Sequence, residues 1–162
     1  MNGAVFLDTS FLITLVNPAA EFHKEAAAFY KHFLKERIPM GVSSIVVGEF
    51  SLKQKWSTMP QDQFVTESFT HDDAIISAEL DYAAYKNPSG PPGGRQSLKD
   101  DFKIIGHAHA RGYQYLITRD RETMMKYCTD LLQAGRVKFH PVDLALGFSK
   151  SVFGAPKSSS LS

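Results

Sequence analysis

Several carboxylates in this 162-residue chain fall where apolar side chains belong. Asp8 closes the run VFLDTS, in which three apolar residues lead straight into an acid and two hydroxyls. Asp120 closes YLITRD, a second apolar strand pattern that ends in a hydroxyl and an acid. Glu49, in SSIVVGEFSL, keeps helical spacing with Ile45, Leu52 and Trp56, a stripe that otherwise faces a core. Asp101 opens DFKIIGHAHA, ahead of Ile104, Ile105 and Ala108, which sets it above the buried face of a helix. A buried carboxylate is costly unless a helix N-terminus, a basic group or a cation pairs with it.

In a parallel sheet every strand ends at the same rim, and the following helices begin there. Asp8 and Asp120 end strands, and Glu49 and Asp101 sit in early turns of helices, so all of them can meet at that rim, where open α/β folds place their sites. At ~5 Å and an effective dielectric of ~20, each pair of such charges repels by about 3 kcal/mol. Either protons stay on or cations bind. Oxygen-only ligands favour a hard divalent ion, Mg²⁺ or Mn²⁺, that retains waters. The set Asp8, Glu49, Asp101 and Asp120 is therefore the expected metal-ligating and catalytic group, and the chemistry it suits is phosphodiester hydrolysis. The hydroxyls of Thr9, Ser10 and Thr118 are placed to orient these carboxylates or a water. Arg95, Lys99, Arg119 and Arg121 flank the group in sequence and are candidates to hold phosphates. Taken singly, Asp8 and Asp120 read equally as helix caps and Glu49 as a surface residue; their joint placement carries the argument.

The elements that must position these residues alternate short β-rich runs with longer helical patterns, which predicts an α/β fold around a mostly parallel sheet of four to five strands. Strands are expected at 4–7, 39–43, 114–118 and 137–140. Helices are expected at 10–16, capped by Thr9 or Ser10, at 18–35 behind an Asn17–Pro18 start, and from Ser43 or Ser44 to Trp56. Further helices are expected at 60–69, 99–111 and 122–134, the last two stopped by Gly112 and Gly135. The stretch 71–86 reads either as a short strand at 74–76 before a helix or as helix throughout. Ser97, three residues before Asp100, resembles a capping box, which would make Asp100 a local device and leave Asp101 over the cleft. The segment NPSGPPGGRQ, 87–96, is a long loop. A single domain over 1–148 is expected, with a flexible tail at 149–162.

Composition narrows the function classes. The chain is 43% hydrophobic and 22% charged, ordinary for a globular protein, and its net charge of +1 gives no broad basic face, so any nucleic-acid role must come from a site. The single cysteine, Cys128, excludes an internal disulfide framework and suits a reducing, cytoplasmic setting. The apolar run from Ala4 to Val16 contains Asp8 and is too short to span a bilayer, so no membrane association is expected. In HAHAR the two histidines, two residues apart on a helix, point to different faces and do not share a metal. Neither a dinucleotide-binding glycine pattern nor a phosphate-binding P-loop is present.

The segments VFLDTSFLI, SSIVVGEF and DDFKIIGHAHARGYQYLITRD resemble, in order and spacing, the acid-bearing segments of the PIN domain, and most closely the small ribonuclease toxins of type II toxin–antitoxin systems. The resemblance spans residues 4–120. It implies a three-layer α/β/α sandwich, Mg²⁺ or Mn²⁺ at Asp8, Glu49, Asp101 and Asp120, and RNA as substrate. It further implies a homodimer and a cognate antitoxin. Where many relatives carry a further acid after the last of these, this sequence reads TRDRETM, with Thr123 and Met124. Two other readings stay open: a PIN-like module that binds RNA or protein without cutting, and a haloacid-dehalogenase-like phosphatase, although Ser10 stands where that family has its second acid.

Overall fold

The three central strands are short and buried on both faces, as parallel strands are when helices cover each side. The structure, a computed structural model, describes residues 3–84 and 99–153. Strand β1 (Val5–Leu7) is wholly buried, as is β2 (Met40–Ser43); β4 (Tyr115–Thr118) is buried beyond its first residue. With β3 (Val65–Glu67) and β5 (His140–Asp143) they form a five-stranded sheet in the order β3-β2-β1-β4-β5, every neighbouring pair parallel. Phe6 sits opposite both Gly41 and Leu116. The order reverses between β1 and β4. In a sheet of this kind the crevice beyond the strand C-termini at that reversal is open for a ligand.

The helices are α1 (Thr9–Val16), α2 (His23–Lys35), α3 (Ser44–Ser51), α4 (His71–Ala84), α5 (Asp100–Ala110) and α6 (Met124–Gln133). α1 and α3 leave the rim directly from β1 and β2, and α5 begins near that rim before β4. Phe6, Phe11, Phe29, Phe33, Phe50, Phe102 and Phe139 are among the fully buried side chains that fill the core. α4 and α5 pack closely because Gly106 has no side chain: a Cβ there would meet Ser77 Oγ at 2.1 Å and Ser77 Cα at 2.7 Å. Among the described residues no helix is long and apolar enough to cross a membrane.

Several expected boundaries move. The cap of α1 is Asp8 itself, whose side chain accepts from the Thr9 amide, and not Thr9 or Ser10. α2 starts at His23, not at Pro18: Asn17 closes a turn on Ala19 and Ala20, and Phe22 then takes a left-handed conformation (φ 65°) that breaks any continuous helix. α3 ends at Ser51, and Trp56 belongs to a separate 3₁₀ turn. The helix expected at 60–69 is absent. That stretch holds a 3₁₀ turn at Gln61–Gln63 and then β3, because pairing with β2 outweighs local preference. The stretch from His71 is helix throughout α4. The fifth strand lies at His140–Asp143, three residues later than its apolar run at 137–140. α5 is capped at Lys99 with Asp100 as its first residue, so Asp100 is not the third residue of a capping box; it pairs with Lys103 at 2.8 Å. Ser97, Arg95 and the loop 87–96 lie outside the described residues. So does most of the expected tail, but its first part is packed: Lys150–Phe153 forms a 3₁₀ turn, and the Phe153 ring meets Phe29, Phe33 and Tyr115.

Candidate active site

Asp8 is the best-defined member of the site. It leaves β1 at the reversal point, is buried with 5% of its surface exposed, and lies against β4 on the other side of the crevice. Its Oδ1 accepts from the Thr9 amide at 2.8 Å; its Oδ2 accepts from Ser10 Oγ at 2.8 Å and Thr118 Oγ1 at 2.7 Å. Thr118 Oγ1 in turn accepts from the Asp120 amide at 3.0 Å, and Ser10 Oγ accepts from the Arg119 amide at 2.9 Å. The two strand ends are thus stitched together by the hydroxyls flanking the acids. Thr9 completes the collar from the other face, donating from Oγ1 to Glu49 Oε2 at 2.7 Å.

Glu49 is half-buried, but not for the reason its spacing implied. Leu52 is 86% exposed, and the buried stripe of α3 is Val46 and Phe50. Asp101 is half-buried in the first turn of α5, above the fully buried Ile104, Ile105 and Ala108 as expected. Asp100, one position round the helix, is exposed. Asp120 accepts from the amides of Glu122 and Thr123 at 3.1 and 3.0 Å, so it also closes the turn that leads to α6.

The acids press on one another. Burial raises the Asp8 carboxyl above the ordinary range; hydrogen bonds from Thr118, Ser10 and Thr9 oppose this, and the charge of Asp120 adds to it. Burial likewise raises Glu49 against the Thr9 bond, and the charges of Asp8, Asp100 and Asp101 push it further. Burial raises Asp101, reinforced by Asp8 and Asp120 and opposed by the Thr123 hydroxyl and by Lys99. Asp120 differs: burial would raise it, but the hydroxyl and amide of Thr123 and the neighbouring amides hold it below the usual carboxylate range. The rim therefore holds one readily ionised acid beside three whose charged forms are disfavoured. The donor set is oxygen throughout, which suits a hard divalent cation. Among the described residues no three His, Cys, Asp or Glu side chains are grouped closely enough to hold an ion by themselves. Mg²⁺ ordinarily keeps several waters and is bound through one or two carboxylates, so the arrangement fits such an ion with water filling its shell.

No protein-family model and no curated protein sequence matches the chain. Solved structures do. VapBC2 from Rickettsia felis, bound to a DNA fragment from its promoter, matches with a TM-score of 0.57 at 16% identity over 86% of this chain and 99% of that one. VapBC-1 from nontypeable Haemophilus influenzae matches with a TM-score of 0.56 at 15% identity, over 87% and 98%. Mycobacterium tuberculosis VapC20, a sarcin-ricin loop cleaving toxin, matches with a TM-score of 0.54 at 18% identity, over 74% and 92%. The fold is that of the PIN-domain toxins. The likeness is one of architecture, and it covers nearly the whole length of each of those chains.

Within this PIN-like frame, Thr123 is the residue that sequence reasoning passed over. The resemblance marks its position only as one where many relatives have an acid. Its hydroxyl donates to Asp120 Oδ2 and also opposes the raised proton affinity of Asp101, so it stands between the start of α5 and the start of α6. The order of acid and hydroxyl in TRDRET was visible, but the approach of α5 was not. Cys128 is a buried apolar residue of α6, and His107 is buried against Ser43 while His109 lies on another face.

Proposed function

We infer that this chain is a metal-dependent ribonuclease, the toxin of a type II toxin–antitoxin pair. The observation that carries this reading is the set of carboxylates at the β1/β4 reversal, three of them held above their ordinary proton affinity by burial and by each other's charge. Asp8, Glu49, Asp101 and Asp120 would hold Mg²⁺ or Mn²⁺. When bound, such an ion neutralises charge that builds on a phosphodiester and acidifies water. The chain's own groups do the rest. Ser10 and Thr118 fix the Asp8 carboxylate, Thr9 fixes Glu49, and Thr123 fixes Asp120. Asp120, held ionised by the hydroxyl and amide of Thr123 and by the Glu122 amide, is the member best suited to keep its charge for the cation.

The matched structures, VapBC toxin–antitoxin complexes and a sarcin-ricin loop cleaving toxin, support RNA as substrate and a cognate antitoxin as partner. A homodimer acting in the cytoplasm completes the proposal. The test is cleavage of total RNA by highly purified protein. Cleavage is expected with millimolar Mn²⁺, should stop when a chelator is added, and should be absent from Asp120→Asn. RNA left intact by the parent in Mn²⁺ would overturn the nuclease reading and favour a binding module.

A further inference from the structure

Two of the basic residues beside the acids stand over aromatic rings. Lys99 Nζ lies 3.4 Å from Tyr127 Oη and 5.9 Å from the centre of that ring. The Arg119 guanidinium lies 5.7 Å from the centre of the Phe22 ring, and Glu21 Oε2 is 3.6 Å from one of its nitrogens. Phe22 is held in the left-handed region, which is uncommon for a bulky residue and is retained where the surroundings require it. Arg121 is placed differently: its Nε donates at 2.6 Å to Asp143, which caps the turn at Leu144–Leu146.

Both cation–ring pairs border the acids, one at the start of α5 and one at the end of β4. Lys99 caps α5 two residues before Asp101, and on the far side of that acid Thr123 donates to Asp120. The Asp120 amide donates to Thr118, Thr118 and Ser10 donate to Asp8, and the Arg119 amide donates to Ser10. One cation is steadied by a ring on α6 and the other by a ring at the start of α2, each beside the acids. A cation steadied by an aromatic ring offers a phosphate contact already in place, and positive groups that track the backbone are how single-stranded nucleic acid is held without sequence preference. The net charge of +1 supplies no wide basic face of the kind a duplex needs.

We propose that Lys99, steadied on Tyr127, and Arg119, steadied on Phe22, grip one single-stranded RNA on either side of the acids, so that the strand is drawn across the carboxylates. The identity of the ligand as RNA rests on the nuclease reading. Glu21, 73% exposed, is a weak partner that a phosphate displaces from Arg119.

Binding of a fluorescein-labelled oligouridylate, followed by anisotropy in a chelator, tests the grips without any cleavage. Lys99→Ala and Arg119→Ala should each weaken binding about fivefold to tenfold at low salt and lower the slope of log affinity against log salt by about 0.7. Melting temperatures should not change. Glu21→Gln should tighten binding about twofold or more by removing the competing charge, which a purely structural Arg119 would not produce. A labelled adenylate–uridylate duplex should bind more weakly than the single strand. Absence of binding by the parent, unchanged affinity and slope in both alanine variants, weaker binding by Glu21→Gln, or preference for the duplex would each overturn the proposal. Because the readout is metal-free, a parent that binds but does not cut in Mn²⁺ counts against the nuclease and not the grips. A parent that cuts while both variants bind as the parent does counts against the grips alone.

Discussion

Asp8 has two roles that pull in opposite directions. Its Oδ1 caps α1 through the Thr9 amide, a contact of the kind worth about 1 kcal/mol, while its charge is buried beside other acids. An amide keeps the acceptor oxygen and removes the charge. Asp8→Asn should therefore melt, in a chelator, at least as high as the parent, and up to about 4 °C higher, which is roughly 1 kcal/mol for a domain of this size. Circular dichroism melts decide it; a clear fall would mean that the carboxylate's bonds to Ser10 and Thr118 outweigh its burial and repulsion. At this scale Asp8 and Asp120 could be read from sequence because each ends an apolar run abruptly. Thr123 could not, since a hydroxyl there gains its meaning only when α5 brings Asp101 beside it. Glu49 was found through a stripe that the fold does not use, with Leu52 in solvent.

The elements that set the rim are clamped from behind by a buried polar group. Ser43, the cap of α3, lies 2.9 Å from His107 Nδ1 on α5, and His107 Nε2 is 3.7 Å from Asp73 Oδ2 on α4. Asp73 also accepts from Arg111 at 2.9 Å, and Arg111 faces Glu67 at 3.7 Å, which accepts from Tyr113. The rings of Phe6 and Phe69 close on His107 from the remaining sides. Burial holds His107 below its ordinary value; Asp73 and Glu67 oppose this and Arg111 adds to it. The unfolded chain then takes up a proton near pH 6.5 that the folded chain refuses, so this group's contribution is present above that pH and is lost as pH falls toward the folded value. Burial would raise Asp73, but Thr70, His107 and Arg111 hold it low, so its contribution too is lost on acidification, from the ordinary aspartate value downward. The gap in stability between the parent and His107→Gln should narrow between pH 7 and pH 5, by at most about 1.4 kcal/mol per pH unit. Urea titrations across that range measure it, and a constant gap would contradict the account. Elements with long periodic faces were legible in advance, α5 best of all. β3 was not, because Val65, Thr66 and Glu67 are largely exposed and become a strand only by pairing with β2. The start of α2 was lost to Phe22, whose left-handed turn no propensity announces.

For the molecule as a whole, the α/β class and the parallel sheet follow from the alternation of patterns, whereas the strand order does not. The β3-β2-β1-β4-β5 order makes β1 and β4 neighbours, and that adjacency brings Asp8 and Asp120, far apart in sequence, to one crevice. The central claim is that the acids gathered there act as one cation-holding unit. Calorimetric titration with Mn²⁺ of the parent, of Asp8→Asn, Glu49→Gln, Asp101→Asn and Asp120→Asn, and of Asp100→Asn as a control, tests it most directly. The account predicts a Mn²⁺ site in the parent that weakens by about tenfold or more, roughly 1.4 kcal/mol, in each of the rim variants. Asp100→Asn, which loosens an exposed pair with Lys103 and removes one of the lesser charges acting on Glu49, should bind within about twofold of the parent. Parent-like affinity across the rim variants, or a loss confined to Asp100→Asn, would contradict it.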